Sequence, residues 1–359
     1  MKHMKRNRVN RVLENMEKMG LDQLIVGEPA SVYYLTGRWI EPGERMLALL
    51  ISKGGACALF VNRLFAQAPD EDMRLVEFDD TDDAAAFLAE AVTPGRLGVD
   101  KAWPSAFLIR LMKKRPGLEI LEGSQAVDQA RMLKDEEELA ALRRSSRLND
   151  QALERTIQAV QPGMSERQVA RMYEDNAIAL GAMGNSFPGL ICFGENCAEP
   201  HHESGDRRLK DGDSVILDVG LNLNHAMSDM TRTVFLGRAT DEQRRVYDLV
   251  FRANEAGRRA ARPGIPLSDI DRAARSVIEQ AGYGARFIHR TGHGIGLSVH
   301  EPPDVSSANG LICQPGMVFS IEPGVYLPGA FGVRVEDLVA VTQDGAETLN
   351  ALDRELRII

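Results

Sequence analysis

VILDVG (215–220) and MSDMTRTVF (227–235) decide the fold, because they read as buried β-strand yet carry Asp218 and, eleven residues on, Asp229. The same conflict recurs downstream, with Glu322 in MVFSIEPG (317–324) and Glu336 fourteen residues later in GVRVEDLVAV (332–341). Turn-like segments, LNLNH (221–225) and LPGAFG (327–332), separate the members of each pair. If each pair forms a hairpin, its carboxylates face each other across neighbouring strands with Cβ atoms roughly 5 Å apart. Like charges so placed are destabilising, and a buried carboxylate must find a cation or take up a proton. Asp and Glu ordinarily occupy the solvent face of a strand. That would account for one such acid, but not for four in two matched hairpins.

Working outward, the two hairpins fall in an internal repeat. VQPGMSERQ (160–168) matches ARPGIPLSD (261–269), with Gly163 and Gly264 offset by 101; Gly212/Gly316 and Asp218/Glu322 are offset by 104, and Asp229/Glu336 by 107. Each copy opens with a Pro-Gly turn before a helix start, and Ser165-x-x-Gln168 has the form of a capping box. The expectation is a pseudo-two-fold duplication that brings both hairpins to the centre of one sheet. A long amphipathic helix, EEELAALRRSSRLNDQALERTIQAV (136–160), opens this α+β domain. Ahead of it, LDQLIV, MLALLIS, ACALFV, MRLVEF, RLGVD and LEIL read as strands, with helices near 5–19, 82–92 and 104–114. That part is an α/β domain with no recognisable catalytic cluster. The expected domains are residues 1–128 and 129–359.

A chain of 359 residues is long for one core, which also favours two domains. A net charge of −9 argues against a nucleic-acid partner. The one basic cluster, Lys2, Lys5, Arg6, Arg8 and Arg11, reads as a solvated helix face, and MLALLI (46–51) is too short an apolar run to export the chain or span a membrane. Cys57, Cys192, Cys197 and Cys313 show no CxxC spacing and read as reduced thiols of a cytoplasmic protein.

Four carboxylates at one centre are suited to two divalent ions. His293 in RTGHGIGLSVHE (290–301) is the natural imidazole complement, since Gly292, Gly294 and Gly296 allow close backbone approach. An oxygen-rich set with one imidazole suits Mn²⁺, with Co²⁺, Fe²⁺ or Zn²⁺ as alternatives, better than a thiolate-rich structural zinc site would. Two such ions activate water for hydrolysis of an amide or ester. GHGIGL also brushes against the dinucleotide fingerprint, but it runs into Glu301-Pro302-Pro303 and offers no helix amino terminus to a phosphate.

The ordered set PHH (200–202), DVG, SDMTRT, GHGIGLSVHE, SIEPG and VRVED resembles the pita-bread metallopeptidases (M24), within them the Xaa-Pro dipeptidase (prolidase) and Xaa-Pro aminopeptidase branch. VYYLTG (32–37) resembles a motif of that branch's amino-terminal creatinase/prolidase-type domain, so the resemblance covers nearly the whole chain. It implies that Asp218 binds one metal, His293 and Glu322 bind the other, and Asp229 and Glu336 bridge. It implies a substrate-side role for His201 and an active-site role for His300 in steadying the scissile carbonyl or the tetrahedral intermediate. Arg334 would orient substrate or the bridging Glu336. His202 reads as a bystander, and His225 and His289 as groups that support the site from behind or are structural. Where relatives often carry a tyrosine before the SD motif, this chain has Ala226-Met227. The implied activity is hydrolysis of Xaa-Pro dipeptides, with longer peptides or non-peptide amides as alternatives, in a cytoplasmic homodimer with no nucleic-acid or membrane partner. A non-catalytic peptide-binding relative would have lost ligands, and all five are present.

Overall fold

A computed structural model describes residues 4–359, which form two compact units divided between Arg131 and Met132. In the first, α1 (Arg6–Met19) buries Val9, Val12 and Met16 at helical spacing. It stops at Gly20, whose positive φ of 67° lets its N–H return to the carbonyls of Glu17 and Met16. The strands are β1 (Gln23–Val26), β2 (Ala48–Ser52), β3 (Cys57–Asn62), β4 (Arg74–Phe78), β5 (Arg96–Val99) and β6 (Glu119–Glu122). They form one sheet in the order β4-β3-β2-β1-β5-β6. The helices α2 (Pro29–Thr36), α3 (Ala84–Ala91), α4 (Ser105–Lys114) and α5 (Ser124–Met132) complete the unit. Leu88 of α3 and Leu111 of α4 join Ile25, Leu50, Phe60 and Leu97 in its core. All six expected strands are present; of the two extra helices, α2 falls on the segment that contains VYYLTG and α5 follows β6.

The second unit builds the same motif twice. Its first half contains α6 (Glu136–Ala159), α7 (Glu166–Ala179), β7 (Gly184–Asn185), β8 (Leu190–Phe193), β9 (Ser214–Val219), β10 (Leu221–Leu223), β11 (Ala226–Met227) and β12 (Met230–Phe235). The second contains α8 (Asp241–Ala260), α9 (Leu267–Gln280), β13 (Gly292–Gly294), β14 (Glu301–Val305), β15 (Val318–Ile321), β16 (Gly324–Leu327), β17 (Phe331–Arg334), β18 (Asp337–Val341), β19 (Ala346–Thr348) and β20 (Arg357–Ile358). Antiparallel β8-β9-β12 in one half corresponds to β13-β15-β18 in the other. The capping box at α7 forms as expected: Ser165 Oγ accepts from Gln168 N at 3.2 Å, and Gln168 Oε1 accepts from Ser165 N at 2.9 Å.

The hairpins do not share one sheet. β12 belongs to a four-stranded sheet and β18 to a five-stranded one. The C-terminal half of β12 is paired with β20 at Val234 and Phe235. Its other end meets the segment between β17 and β18, with the Glu336 N–H donating to the Thr231 carbonyl at 3.1 Å. The turns also sit deeper than a simple hairpin implies: Asn224 and His225, both at positive φ, close β10 onto β11, and Pro328–Ala330 closes β16 onto β17.

The strand period of two then sorts the acids. Val215, Leu217 and Val219 of β9, with Met230 and Val234 of β12, pack against Leu153 of α6 and Val169 and Tyr173 of α7. Asp218, Asp229 and Thr231 therefore project from the opposite face. In the second half Phe319, Ile321, Val339 and Val341 pack with Leu267 and Ile270 of α9, which leaves Glu322 and Glu336 on the face opposite α9.

Candidate metal centre and its cavity

A cavity of about 900 Å³ opens over that face, lined by Asp218, Asp229, His293, Glu322 and Glu336 together with His201, His300 and Arg334. Every site residue expected from the sequence therefore contributes to one wall or floor. His293 Nε2 lies 3.5 Å from Asp229 Oδ2 and 3.5 Å from Glu322 Oε1. Its ring stands edge-on to His300, with centroids 4.1 Å apart. One donor atom each from Asp229, His293 and Glu336 lie within 4.8 Å of one another. Thr231 Oγ1 donates to Glu336 Oε2 at 2.8 Å, and Ser320 Oγ donates to Glu322 Oε1 at 3.2 Å.

The electrostatics are those of a negative pocket short of positive charge. Burial, then the charges of Glu336 and Asp218, push the Asp229 carboxyl well above the usual range. Burial, then Glu322, does the same to Glu336. Burial lifts Glu322 to about 7, with Arg334 opposing and Asp218 reinforcing the shift. Burial, aided by His300, drives His293 down to about 3, so its imidazole is neutral and keeps a lone pair available. Asp229 Oδ1 and Glu336 Oε1 are buried and carry no hydrogen bond. Orphaned carboxylate oxygens beside a neutral imidazole are a donor set that fits hard divalent cations.

Arg334 has a more specific place than its sequence suggested. Its guanidinium donates from Nη2 to Asp218 Oδ2 at 2.5 Å, from Nη1 to Tyr326 Oη at 2.9 Å and the Pro200 carbonyl at 3.3 Å, and from Nε to Thr231 Oγ1 at 3.2 Å. It is thus committed to Asp218 rather than to Glu336. His289, read as a supporting or structural group, lines the cavity; its Nε2 lies 2.8 Å from Tyr326 Oη, and burial with Arg334 nearby lowers its pKa to about 4. Its position four residues before His293 was the available signal. His202, read as a bystander, reaches Glu166 at 3.2 Å. His225 is a turn residue. Ala226 packs in an apolar cluster with Leu139, Leu142, Ile295 and Leu338.

Residues 140–343 match Metallopeptidase family M24, and residues 8–133 match the Creatinase/Prolidase N-terminal domain. The chain belongs to metallopeptidase family M24. An uncharacterized peptidase of Staphylococcus aureus is 34% identical to this M24 protein over 353 residues, covering 97% of this chain and 99% of the relative. A dipeptidase from Pyrococcus horikoshii OT3 has a similar structure, with a TM-score of 0.93, 34% identity and coverage of 98% of this chain and 100% of that one. A recombinant prolidase from Thermococcus sibiricus superposes with a TM-score of 0.92 at 32% identity, covering 99% of each chain. The protein is accordingly a two-domain metallopeptidase of the pita-bread fold, in a family that uses divalent metal.

Proposed function

We propose that this M24 protein is an Xaa-Pro dipeptidase that works with two divalent ions, most naturally Mn²⁺. The observation that carries the chemistry is the convergence of three buried carboxylates, the partly buried Glu322 and His293 on one cavity, with one oxygen each of Asp229 and Glu336 lacking any hydrogen-bond partner. Asp218 would hold one ion, His293 and Glu322 the other, and Asp229 and Glu336 would bridge. Ions held there supply an activated water and Lewis acidity for amide hydrolysis.

The chain's own residues then divide the remaining work. Arg334 pairs with Asp218 and orients it. Burial lowers the pKa of His300, so at neutral pH it presents a neutral imidazole whose N–H can donate to the scissile carbonyl oxygen. His201 faces the cavity and can bind the substrate's free carboxylate, while Arg334, engaged by Asp218, Tyr326, Thr231 and Pro200, is less free to do so. Phe187 and Val299 add apolar wall suited to a pyrrolidine ring. Support for the substrate class comes from the likeness to a dipeptidase and a prolidase over nearly full length.

The open cavity also has more room than a dipeptide fills, which favours a second reading, aminopeptidase action on longer Xaa-Pro peptides. The reading includes a cytoplasmic homodimer. The four free cysteines, all buried, suit a reducing compartment, and sedimentation at micromolar concentration tests the dimer. The decisive experiment combines metal analysis with kcat/KM for Xaa-Pro dipeptides against tripeptides and longer peptides. Two ions per chain and a dipeptide preference are expected. Full activity in a metal-free sample, or faster cleavage of the longer peptides, rejects the corresponding part.

A further inference from the structure

Glu166 is a carboxylate with no exposed surface that neither lines the cavity nor joins the acid cluster. It stands in the first turn of α7, directly after the N-cap Ser165. Four donors from one loop meet its two oxygens. Oε1 accepts from Phe193 N and Asn196 Nδ2, each at 2.9 Å. Oε2 accepts from Gly205 N at 2.9 Å and from His202 Nε2 at 3.2 Å. Main-chain bonds extend the grip, with Arg167 N donating to Gly205 O at 3.0 Å and Glu166 N to Arg207 O at 3.2 Å. A single buried charge thus clamps both ends of the 193–205 loop. Burying it is tolerable because donors surround it.

The loop's middle carries the adjacent histidines, and they point apart. His202 turns inward to Glu166, with Nδ1 also 3.4 Å from Glu199 Oε2. His201 lines the cavity. Arg334 holds the preceding Pro200 carbonyl, so the turn is fixed from two sides. We propose that Glu166 is a positioning residue that, with His202 as its inner anchor, latches the 193–205 loop so that His201 is held facing the cavity. The inference rests on the reading of His201 as a substrate-binding group.

The experiment is a double-mutant cycle. Glu166→Gln preserves size but sets an amide NH₂ against two of the four donors. It is expected to raise KM for the preferred peptide and lower kcat/KM by about 10-fold to 100-fold, as loss of charge-assisted bonds would, with metal content unchanged. In a His201→Ala background the same substitution should add less than about twofold, because coupled residues are non-additive. Additive losses would overturn the assignment, as would lost metal in Glu166→Gln. Amide hydrogen exchange supplies a readout independent of turnover. In Glu166→Gln the 193–205 segment should exchange at least about tenfold faster while the second half of the unit is unchanged, and unchanged exchange in that segment rejects the latch. If wild-type protein cleaves no Xaa-Pro peptide, the dipeptidase reading fails while exchange still decides the latch. If Glu166→Gln does not fold, His202→Ala carries both measurements, with smaller effects of the same sign expected.

Discussion

The two acid pairs of the C-terminal unit occupy matching places in the repeat but meet different surroundings. In the first half, Asp218 lies opposite Thr231 in the ladder, and its charge is answered by Arg334 at 2.5 Å. In the second half, Ile321 lies opposite Asp337, so Glu322 and Glu336 face each other at the next step with no guanidinium between them. Among the described residues, no lysine or arginine is ion-paired to Asp229, Glu322 or Glu336; their neighbour is the neutral His293. One cation therefore balances one acid of four. The close group of Asp229, His293 and Glu336 draws its members from both halves. Duplication supplies a symmetric frame, and the placement of a single arginine and a single histidine makes it an asymmetric site.

The largest effect should come from breaking that cross-half group. Asp229→Asn or Glu336→Gln is expected to lower bound metal and cut kcat/KM by at least about 100-fold. The fold should survive, and in chelator each variant should melt above chelated wild type, since a buried like charge is gone. Metal analysis and melting curves check both. Chelation of wild type should lower its melting temperature, because the three unanswered carboxylates lose their counter-ions.

Next in size is the tie between the halves. Arg232 of β12 donates to Glu336 O at 2.6 Å, Asp337 Oδ1 at 2.7 Å, Leu352 O at 2.7 Å and Asp353 O at 3.0 Å. Arg232→Met removes the nearer of the two guanidiniums paired with Asp337, which is fully buried, leaving Arg354 at 3.5 Å, and should cost about 3 kcal/mol in urea unfolding. The corresponding change at a surface pair, Arg252→Met opposite Asp248, should cost less than about 1 kcal/mol.

The histidines proposed to meet substrate also come one from each half, His201 from the first and His300 from the second. If their tasks differ, His201→Ala should narrow the preference for dipeptides over tripeptides by roughly tenfold, the worth of one charge-assisted bond. His300→Ala should slow both substrates alike. Paired kcat/KM measurements distinguish these outcomes. The smallest change, Thr231→Val, removes the hydroxyl that orients Glu336 at 2.8 Å while keeping shape. Metal affinity should fall by about tenfold, in line with other outer contacts to ligands, and titration of the chelated protein measures it.

Much of this was legible locally. The period-two alternation of VILDVG, MTRTVF, MVFSI and DLVAV determined which side chains share a face, hence that the acids of each half project from the face opposite that half's own helices. The Ser165-x-x-Gln168 pattern marked a helix start, and the alternating apolar runs of the first unit gave its strands. Other features depended on contacts far apart in the chain. Arg334 and Asp218 are 116 positions apart, so nothing local told whether the guanidinium would meet an acid or a substrate. The partners of His289 and His202 were not legible because Tyr326 and Glu166 lie 37 and 36 positions away. The split into two sheets followed from β20 occupying the edge of β12, a pairing between residues more than a hundred apart. Side-chain periodicity is written into the backbone and can be read from sequence, whereas ion pairing and strand neighbours are selected only when distant segments compete for the same buried space.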